Sequence, residues 1–355
     1  MDLELFIEML GIPSTSGEER RLADFLKERM SNLKPQAPEV IEQEVGEGSV
    51  NLLFDWSGTG RPSFVFCTHL DTVPPYIAPS VDLVKKGDRL PDGRTALKDD
   101  TLIMGRGSCD AKGQIFVMYN ACLELAREGY RDFGLLLLSG EETGSLGAKA
   151  YSEAMPGGDF VLVGEPTDNC LASAAKGTAA FEVTIPGKAC HSGYPEHGES
   201  AVEKFVDTMN VLREKAFPED PILGPTTWNV GDLFSGNPQN VLSPEVRFKI
   251  YFRTTFATED IVQQNLLEAC PPGTVLHALG GDIPQVYFCD VEGVESKPVS
   301  FGSDAPRLVK FVRKAICGPG SILTAHTDNE YVLFSDIRKA VEQDVLIYKT
   351  ILKRT

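Results

Sequence analysis

Several things are missing from this sequence. The eight cysteines include no C-x-x-C pair, which argues against a thiolate zinc site. They are scattered through a long chain, mostly in apolar runs, the pattern of reduced and buried thiols. The first ten residues, MDLELFIEML, are acidic and lack the basic start of a signal peptide, so a cytoplasmic location is expected. No stretch is long and apolar enough to span a bilayer, so no membrane partner is expected. Positive charge is short: 34 Lys and Arg face 51 Asp and Glu, a formal net charge of −17. A protein that grips phosphate backbones has the opposite balance, which sets nucleic acid aside as a partner. Internal repeats and low-complexity tracts are absent too.

What is present is ordinary in bulk. Hydrophobic residues make up 42% and charged residues 24%, as in a globular protein. A chain of 355 residues exceeds what one compact core usually holds, so two domains are expected.

The first half alternates strand and helix patterns. Ser16 and Glu19 have capping-box spacing, and Leu22, Phe25, Leu26, Met30 and Leu33 then recur at helical intervals. Residues 51–56, 63–67, 134–138 and 159–163 read as strands; 114–126 and 146–155 read as helices. This predicts an α/β domain built on a central mixed, largely parallel sheet with helices on both faces. The texture changes near Lys176. Residues 179–186 and 245–254 alternate as half-exposed strands, 199–215 and 259–269 read as helices, and 274–278 as a last strand. The β-α-β-β-α-β order predicts an inserted ferredoxin-like α+β domain over 176–285, within a discontinuous first domain of 1–175 and 286–355.

The chemistry gathers at strand ends. Residues 135–145 read LLLLSGEETGS, a buried strand running into Glu141 and Glu142. Two adjacent acids beside a core are costly unless something compensates them. Residues 63–67 lead to His69 and Asp71, 159–163 lead to Glu165, Asp110 lies in GRGSCDAKG, and His326 follows another apolar piece. Singly, each has an ordinary explanation: a hydrogen-bonded core histidine, a turn aspartate, a solvated loop acid, an acidic helix start. Together, at the carboxyl edge of a parallel sheet where ligands bind, two His and several carboxylates form a donor set that zinc accepts. Asp71, two residues after His69, fits the carboxylate that orients a ligating imidazole. The Glu141–Glu142 pair fits a ligand beside a base, because divalent cations cancel their repulsion.

Six ordered motifs, FCTHLDTV, GRGSCDAKG, SGEETGS, VGEPT, GKACHSGYPEHG and GPGSILTAHTDNEYV, resemble those of the di-zinc aminoacylase and carboxypeptidase family. That family includes acetylornithine deacetylase, succinyl-diaminopimelate desuccinylase and glutamate carboxypeptidase. The resemblance spans nearly the whole chain and implies a zinc-peptidase-like catalytic domain with an inserted lid and dimerisation domain. It implies two divalent ions, zinc by preference with cobalt or manganese as alternatives. Asp110 would bridge them, His69 and Glu165 would complete one site, and Glu142 and His326 the other. Glu141 would be the general base and Asp71 would orient His69. The Asp110–Ala111 peptide is expected to be cis. His191, in the insert, would stabilise the oxyanion, from its own or a partner subunit; a polar strand-end histidine is the alternative.

On the substrate side, Asn240 and Arg253 would bind a carboxylate, for which Arg offers a two-pronged clamp. Both also read as structural, Asn240 in a turn and Arg253 on a solvated strand. FGSDAPRL resembles a substrate-side loop with Gly302, Ser303 and Asp304 near the pocket. The tail motif looks most like acetylornithine deacetylase. The resemblance therefore implies hydrolysis of a small-molecule N-acyl amino acid, N-acetylornithine-like, in arginine biosynthesis, by a homodimer. A dipeptidase, carboxypeptidase or desuccinylase on the same scaffold is the alternative; a non-catalytic binding protein would have lost a ligand or the base, and none is missing. His197 and His277 match no catalytic motif.

Overall fold

The computed structural model describes residues 1–31, 37–46 and 48–353; Leu33 lies outside them. The chain divides into two units. The first comprises Met1–Ser173, Tyr287–Lys297 and Ser303–Thr355; the second comprises Ala174–Val286 and Pro298–Gly302. The insert thus takes in 298–302 as well as the stretch expected from the change of texture.

The first unit is built on a six-stranded sheet, in the order Glu39–Gly46, Ser49–Asp55, Phe133–Leu138, Phe64–His69, Phe160–Val163, Arg313–Ile316. The last four are mutually parallel; Ser49–Asp55 runs against them, and Glu39–Gly46 pairs antiparallel with Ser49–Asp55 at the edge. Buried parallel strands read as unbroken apolar runs, which is why FGLLLL and FVFC are so uniform. Leu135 to Leu138 are fully buried, each worth roughly 1.5–3 kcal/mol relative to exposure. That burial holds the strand end in place against the cost of the acids beyond it.

Helix Lys112–Arg127 is buried on nearly every side, as a helix sandwiched between a sheet and a further helix must be. Phe6 stacks on its Phe116 with ring centroids 4.9 Å apart. The last helix, Phe334–Leu352, contributes Ile337, Val341, Val345, Tyr348 and Ile351 to the same core. A small antiparallel sheet not anticipated from the sequence, Tyr331–Leu333, Asp100–Met104 and Ser80–Val84, flanks the segment bearing Asp110.

The expected capping box does not form. The helix starts at Arg20, and both candidate capping side chains are engaged elsewhere. Ser16 Oγ donates to Asp71 Oδ2 at 2.7 Å, while the fully buried Glu19 accepts from Gly140 N at 3.1 Å and Ser49 Oγ at 2.7 Å. Tertiary demands at the strand ends outcompete a local cap that Ser16 and Glu19 had the spacing to make.

The second unit is a four-stranded antiparallel sheet in the order Thr227–Phe234, Glu245–Thr254, Gly177–Pro186, Val275–Gly280. Helices Ala201–Glu214 and Val262–Ala269 pack on one face, against Phe181, Val183, Ile185, Val246, Phe248, Ile250 and Phe252. This is the ferredoxin-like order of the expected insert. The strict alternation of EVRFKIYFRT is matched by alternating burial along Glu245–Thr254.

Candidate metal centre

Three neighbouring parallel strands end at one edge of the first sheet. Phe64–His69 ends in His69, Phe133–Leu138 leads through a short turn to Glu141 and Glu142, and Phe160–Val163 leads to Glu165. Leu70 N donates to Leu138 O at 2.7 Å, locking two of these ends in register. Gly147 lets the turn close: a Cβ there would lie 2.4 Å from Asn51 Oδ1 and 2.5 Å from Ser139 O. The segment GRGSC delivers Asp110 from the side. Gly105 has φ +130°, and a Cβ on it would lie 3.0 Å from Pro79 Cα, so the approach needs glycine. The Asp110–Ala111 peptide is cis.

Asp110 is the hub. Its Oδ1 lies 3.1 Å from His69 Nε2 and its Oδ2 lies 3.3 Å from His326 Nε2. One buried carboxylate therefore presents an oxygen to each of two imidazoles. His326 Nε2 is also 2.9 Å from Glu142 Oε1. One donor atom each from His69, Asp110 and Glu142 lies within 4.8 Å of the others. His326 has φ +63°, an uncommon backbone state for a non-glycine residue that aims the ring inward from its loop. Glu165 is 4% exposed, and its Oε1 has no hydrogen-bond partner.

The carboxylate at Asp71 does more than sit beside His69. His69 Nδ1 lies 2.9 Å from the Asp71 main-chain oxygen, with Oδ1 farther off at 3.4 Å. Donation from Nδ1–H to that carbonyl fixes the ring with Nε2 facing Asp110. The Asp71 side chain, fully buried, accepts from Glu141 N at 3.0 Å on Oδ1, and from Glu142 N at 3.1 Å and Ser16 Oγ on Oδ2. It fixes the backbone of both acids.

The charges are strongly interdependent. Burial pushes the Glu165 carboxyl well above its ordinary range, with Asp110 adding to the rise. Burial likewise raises Glu141; the charge of His69 opposes that, and Asp304, Glu142 and Asp110 reinforce it. Asp110 goes the other way: burial acts to raise it, but hydrogen bonds to His326 and His69 outweigh that and hold it below the usual range. The same bonds to Asp110 and Glu142 raise His326 to about 10. Asp304, 2% exposed, has neither oxygen in a hydrogen bond of normal geometry, and burial pushes it up to about 7.

This crowding of acids at a dry strand edge is what divalent cations would relieve. The donor chemistry fits: two imidazole nitrogens and three carboxylates, one of them spanning both imidazoles, with a buried carboxylate oxygen at Glu165 awaiting a partner.

Other expected site residues lie in the second unit. His191 is exposed; its Nδ1 accepts from Gly193 N at 3.0 Å. Asn240 adjoins it, with Ser192 N donating to Asn240 O at 2.9 Å. The Arg253 guanidinium rests 5.0 Å over the Tyr251 ring, and a Cβ on Gly302 would lie 3.9 Å from its Nη1. Ser303 belongs to the first unit, is buried, and accepts from Ala305 N at 3.3 Å. Two residues with no assigned role stand out. Arg106 and Glu330 form a buried ion pair at 2.7 Å beside Asp110. Both were in view, inside GRGSCDAKG and AHTDNEYV, but only contact with the backbone near Asp110 reveals what they hold. All eight cysteines are free thiols. Among the described residues, no helix is long and apolar enough to cross a membrane.

Comparison with known proteins places the chain in a family. Residues 173–271 match the family described as a peptidase dimerisation domain. Across 94% of its length the chain is 32% identical to a probable carboxypeptidase of Aspergillus flavus, covering 84% of that protein. It is 31% identical, again over 94% of its length, to a peptidase M20 domain-containing protein of Schizosaccharomyces pombe, covering 81% of it. Among solved structures, a tripeptidase of Staphylococcus aureus superposes with a TM-score of 0.77 at 21% identity, over 99% of this chain and 98% of that one. An M20 metallo-carboxypeptidase of Sulfolobus solfataricus gives 0.69 at 16% identity, over 97% and 98%. With more than 30% identity held over nearly its full length, this chain belongs to the M20 peptidase family of divalent-metal-dependent hydrolases.

Proposed function

We propose that this protein hydrolyses the amide bond that joins an acyl or aminoacyl group to a carboxy-terminal amino acid. The observation behind this is Asp110 held between two imidazoles, with Glu141 and Glu142 at the adjoining strand end. His69 and Glu165 would hold one ion, Glu142 and His326 the other, and Asp110 both. When bound, such a pair of divalent ions, zinc by preference with cobalt or manganese also suited to these donors, polarises the amide carbonyl and acidifies the attacking water.

The chain's own groups do the rest. Glu141, with its carboxyl raised by burial, accepts the proton of the attacking water and passes it to the leaving nitrogen. Asp71 holds the Glu141 and Glu142 backbone while its carbonyl orients His69. His191 accepts a hydrogen bond at Nδ1, so its proton resides on Nε2, and it is proposed as a donor to the developing oxyanion, from its own chain or a partner's. Arg253, with Asn240, Gly302 and Ser303, is proposed to recognise the substrate carboxylate.

Relatives named as carboxypeptidases favour a peptide or peptide-like substrate. The narrower expectation of an N-acetylornithine-like substrate in arginine biosynthesis rests on the tail-motif resemblance alone. A homodimer through the insert is proposed, with Thr227–Phe234 as an unpaired sheet edge and Val202, Val206, Leu233 and Phe234 exposed on that unit. The test is a panel of dipeptides and N-acetyl- and N-succinyl-amino acids, assayed with and without added zinc. Metal-dependent cleavage of any of these amides supports the proposal. A metal-loaded, folded protein inert on all of them overturns it.

A further inference from the structure

Arg106 and Glu330 are 1% exposed, and their hydrogen bonds reach the segments that carry Asp110, His326 and His69. Glu330 Oε1 accepts from Cys109 N and Asp110 N, both at 3.1 Å, so it holds the backbone of Asp110 itself. Glu330 Oε2 pairs with Arg106 Nη1 at 2.7 Å. The same Nη1 donates to Thr327 O at 3.2 Å, one residue after His326, and Arg106 Nε donates to Pro75 O at 3.2 Å, in the loop that follows His69 and Asp71. The Glu330 main chain closes the ring, with Gly105 N donating to its carbonyl at 3.1 Å.

An isolated buried ion pair is weak evidence for stability, since desolvation consumes most of the attraction. This one is placed where three loops meet. A planar guanidinium and a two-oxygen carboxylate satisfy several fixed directions at once, which Lys or Gln cannot reproduce. We infer that the Arg106–Glu330 pair is a positioning clamp that sets the spacing between Asp110 and His326, and so the geometry of the metal site they share with Glu142. The inference rests on the metal-centre reading above.

Cobalt is the probe, because its visible absorption reports ligand geometry independently of turnover. Wild type, Glu330→Gln, Arg106→Lys and the core control Ile347→Val would each be titrated with Co2+ against a competing chelator, with thermal unfolding recorded in parallel. In Glu330→Gln an amide N–H must face either Arg106 or the two backbone donors. Both clamp variants are expected to bind Co2+ roughly 10- to 100-fold more weakly and to change the absorption band, at least for the ion held by His326. Ile347→Val is expected to lose stability but keep the wild-type band and affinity. If wild type takes up no Co2+, the metal-centre reading itself fails. If wild type binds Co2+ and a folded Glu330→Gln shows the same band and affinity, the clamp is refuted. It is equally refuted if Ile347→Val, at a matched loss of stability, perturbs the band as much.

Discussion

Replacing Asp71 by Asn tests the organisation of the centre with a change of one atom. The carboxylate is fully buried and spends Oδ1 on Glu141 N and Oδ2 on Glu142 N and Ser16 Oγ. Asn has a single acceptor oxygen. If that oxygen stays toward Glu141 N, the new NH2 faces Glu142 N–H, and donor meets donor. If the amide flips, Glu141 N–H is orphaned instead. The serine hydroxyl can rotate to accept, but a backbone N–H cannot. Either orientation leaves one buried donor unsatisfied, at about 1–3 kcal/mol. The displaced group belongs to the proposed base or to a proposed metal ligand, so that cost should surface as function. We expect metal affinity to fall by roughly 10- to 100-fold and kcat/KM at saturating metal to fall by a similar factor. Chelator competition and steady-state kinetics on the same preparation read both quantities. An Asp71→Asn protein indistinguishable from wild type in both would refute the assignment of Asp71 as organiser of the acidic pair.

Other outcomes follow from single groups. Glu141→Gln should fold and bind metal like wild type but lose about 10²- to 10⁴-fold in kcat, read from turnover and metal stoichiometry together. Asp344, 2% exposed in the final helix with Oδ2 unpartnered, has its carboxyl raised well above the ordinary range by burial. The folded state therefore keeps a proton that the unfolded state releases above about pH 4. Stability is lost as pH rises from there toward the folded pKa, by about 1.4 kcal/mol per pH unit. Asp344→Asn should remove that slope, so its advantage in thermal unfolding should widen from pH 5 to pH 8; a constant difference would contradict this. Gly147→Ala should destabilise by about 1–3 kcal/mol in denaturant titrations, because its Cβ would meet Asn51 Oδ1 and Ser139 O at close range.

Much of the site was legible because parallel strands announce themselves. Buried on both faces, they run as uninterrupted apolar letters, and the few residues just past each run lie at the sheet edge. His69, Glu141, Glu142 and Glu165 all follow from that rule, and the alternating pattern of 245–254 placed the insert's exposed strand equally well. Ser16 and Glu19 show where the rule fails. Their three-residue spacing is the spacing of a helix cap, yet Asp71 and Gly140, more than fifty residues away in sequence, claim their side chains. Glu330 and Arg106 were hidden for the same reason: a buried acid or base reads as a lapse until its distant partners are known. The sheet containing Ser80–Val84 and Asp100–Met104 was missed because short strands in polar sequence, closed by the distant Tyr331–Leu333, lack a periodic signature.

The central claim is that the acids at this sheet edge exist to hold cations that hydrolyse an amide. Purified protein should be stripped with a chelator, dialysed, and titrated with zinc while bound metal and amide hydrolysis are measured on one sample. The expected result is activity that vanishes on stripping and returns as occupancy approaches two ions per chain. Hydrolysis that persists in metal-free protein, or a folded chain that takes up no divalent ion, would contradict the account.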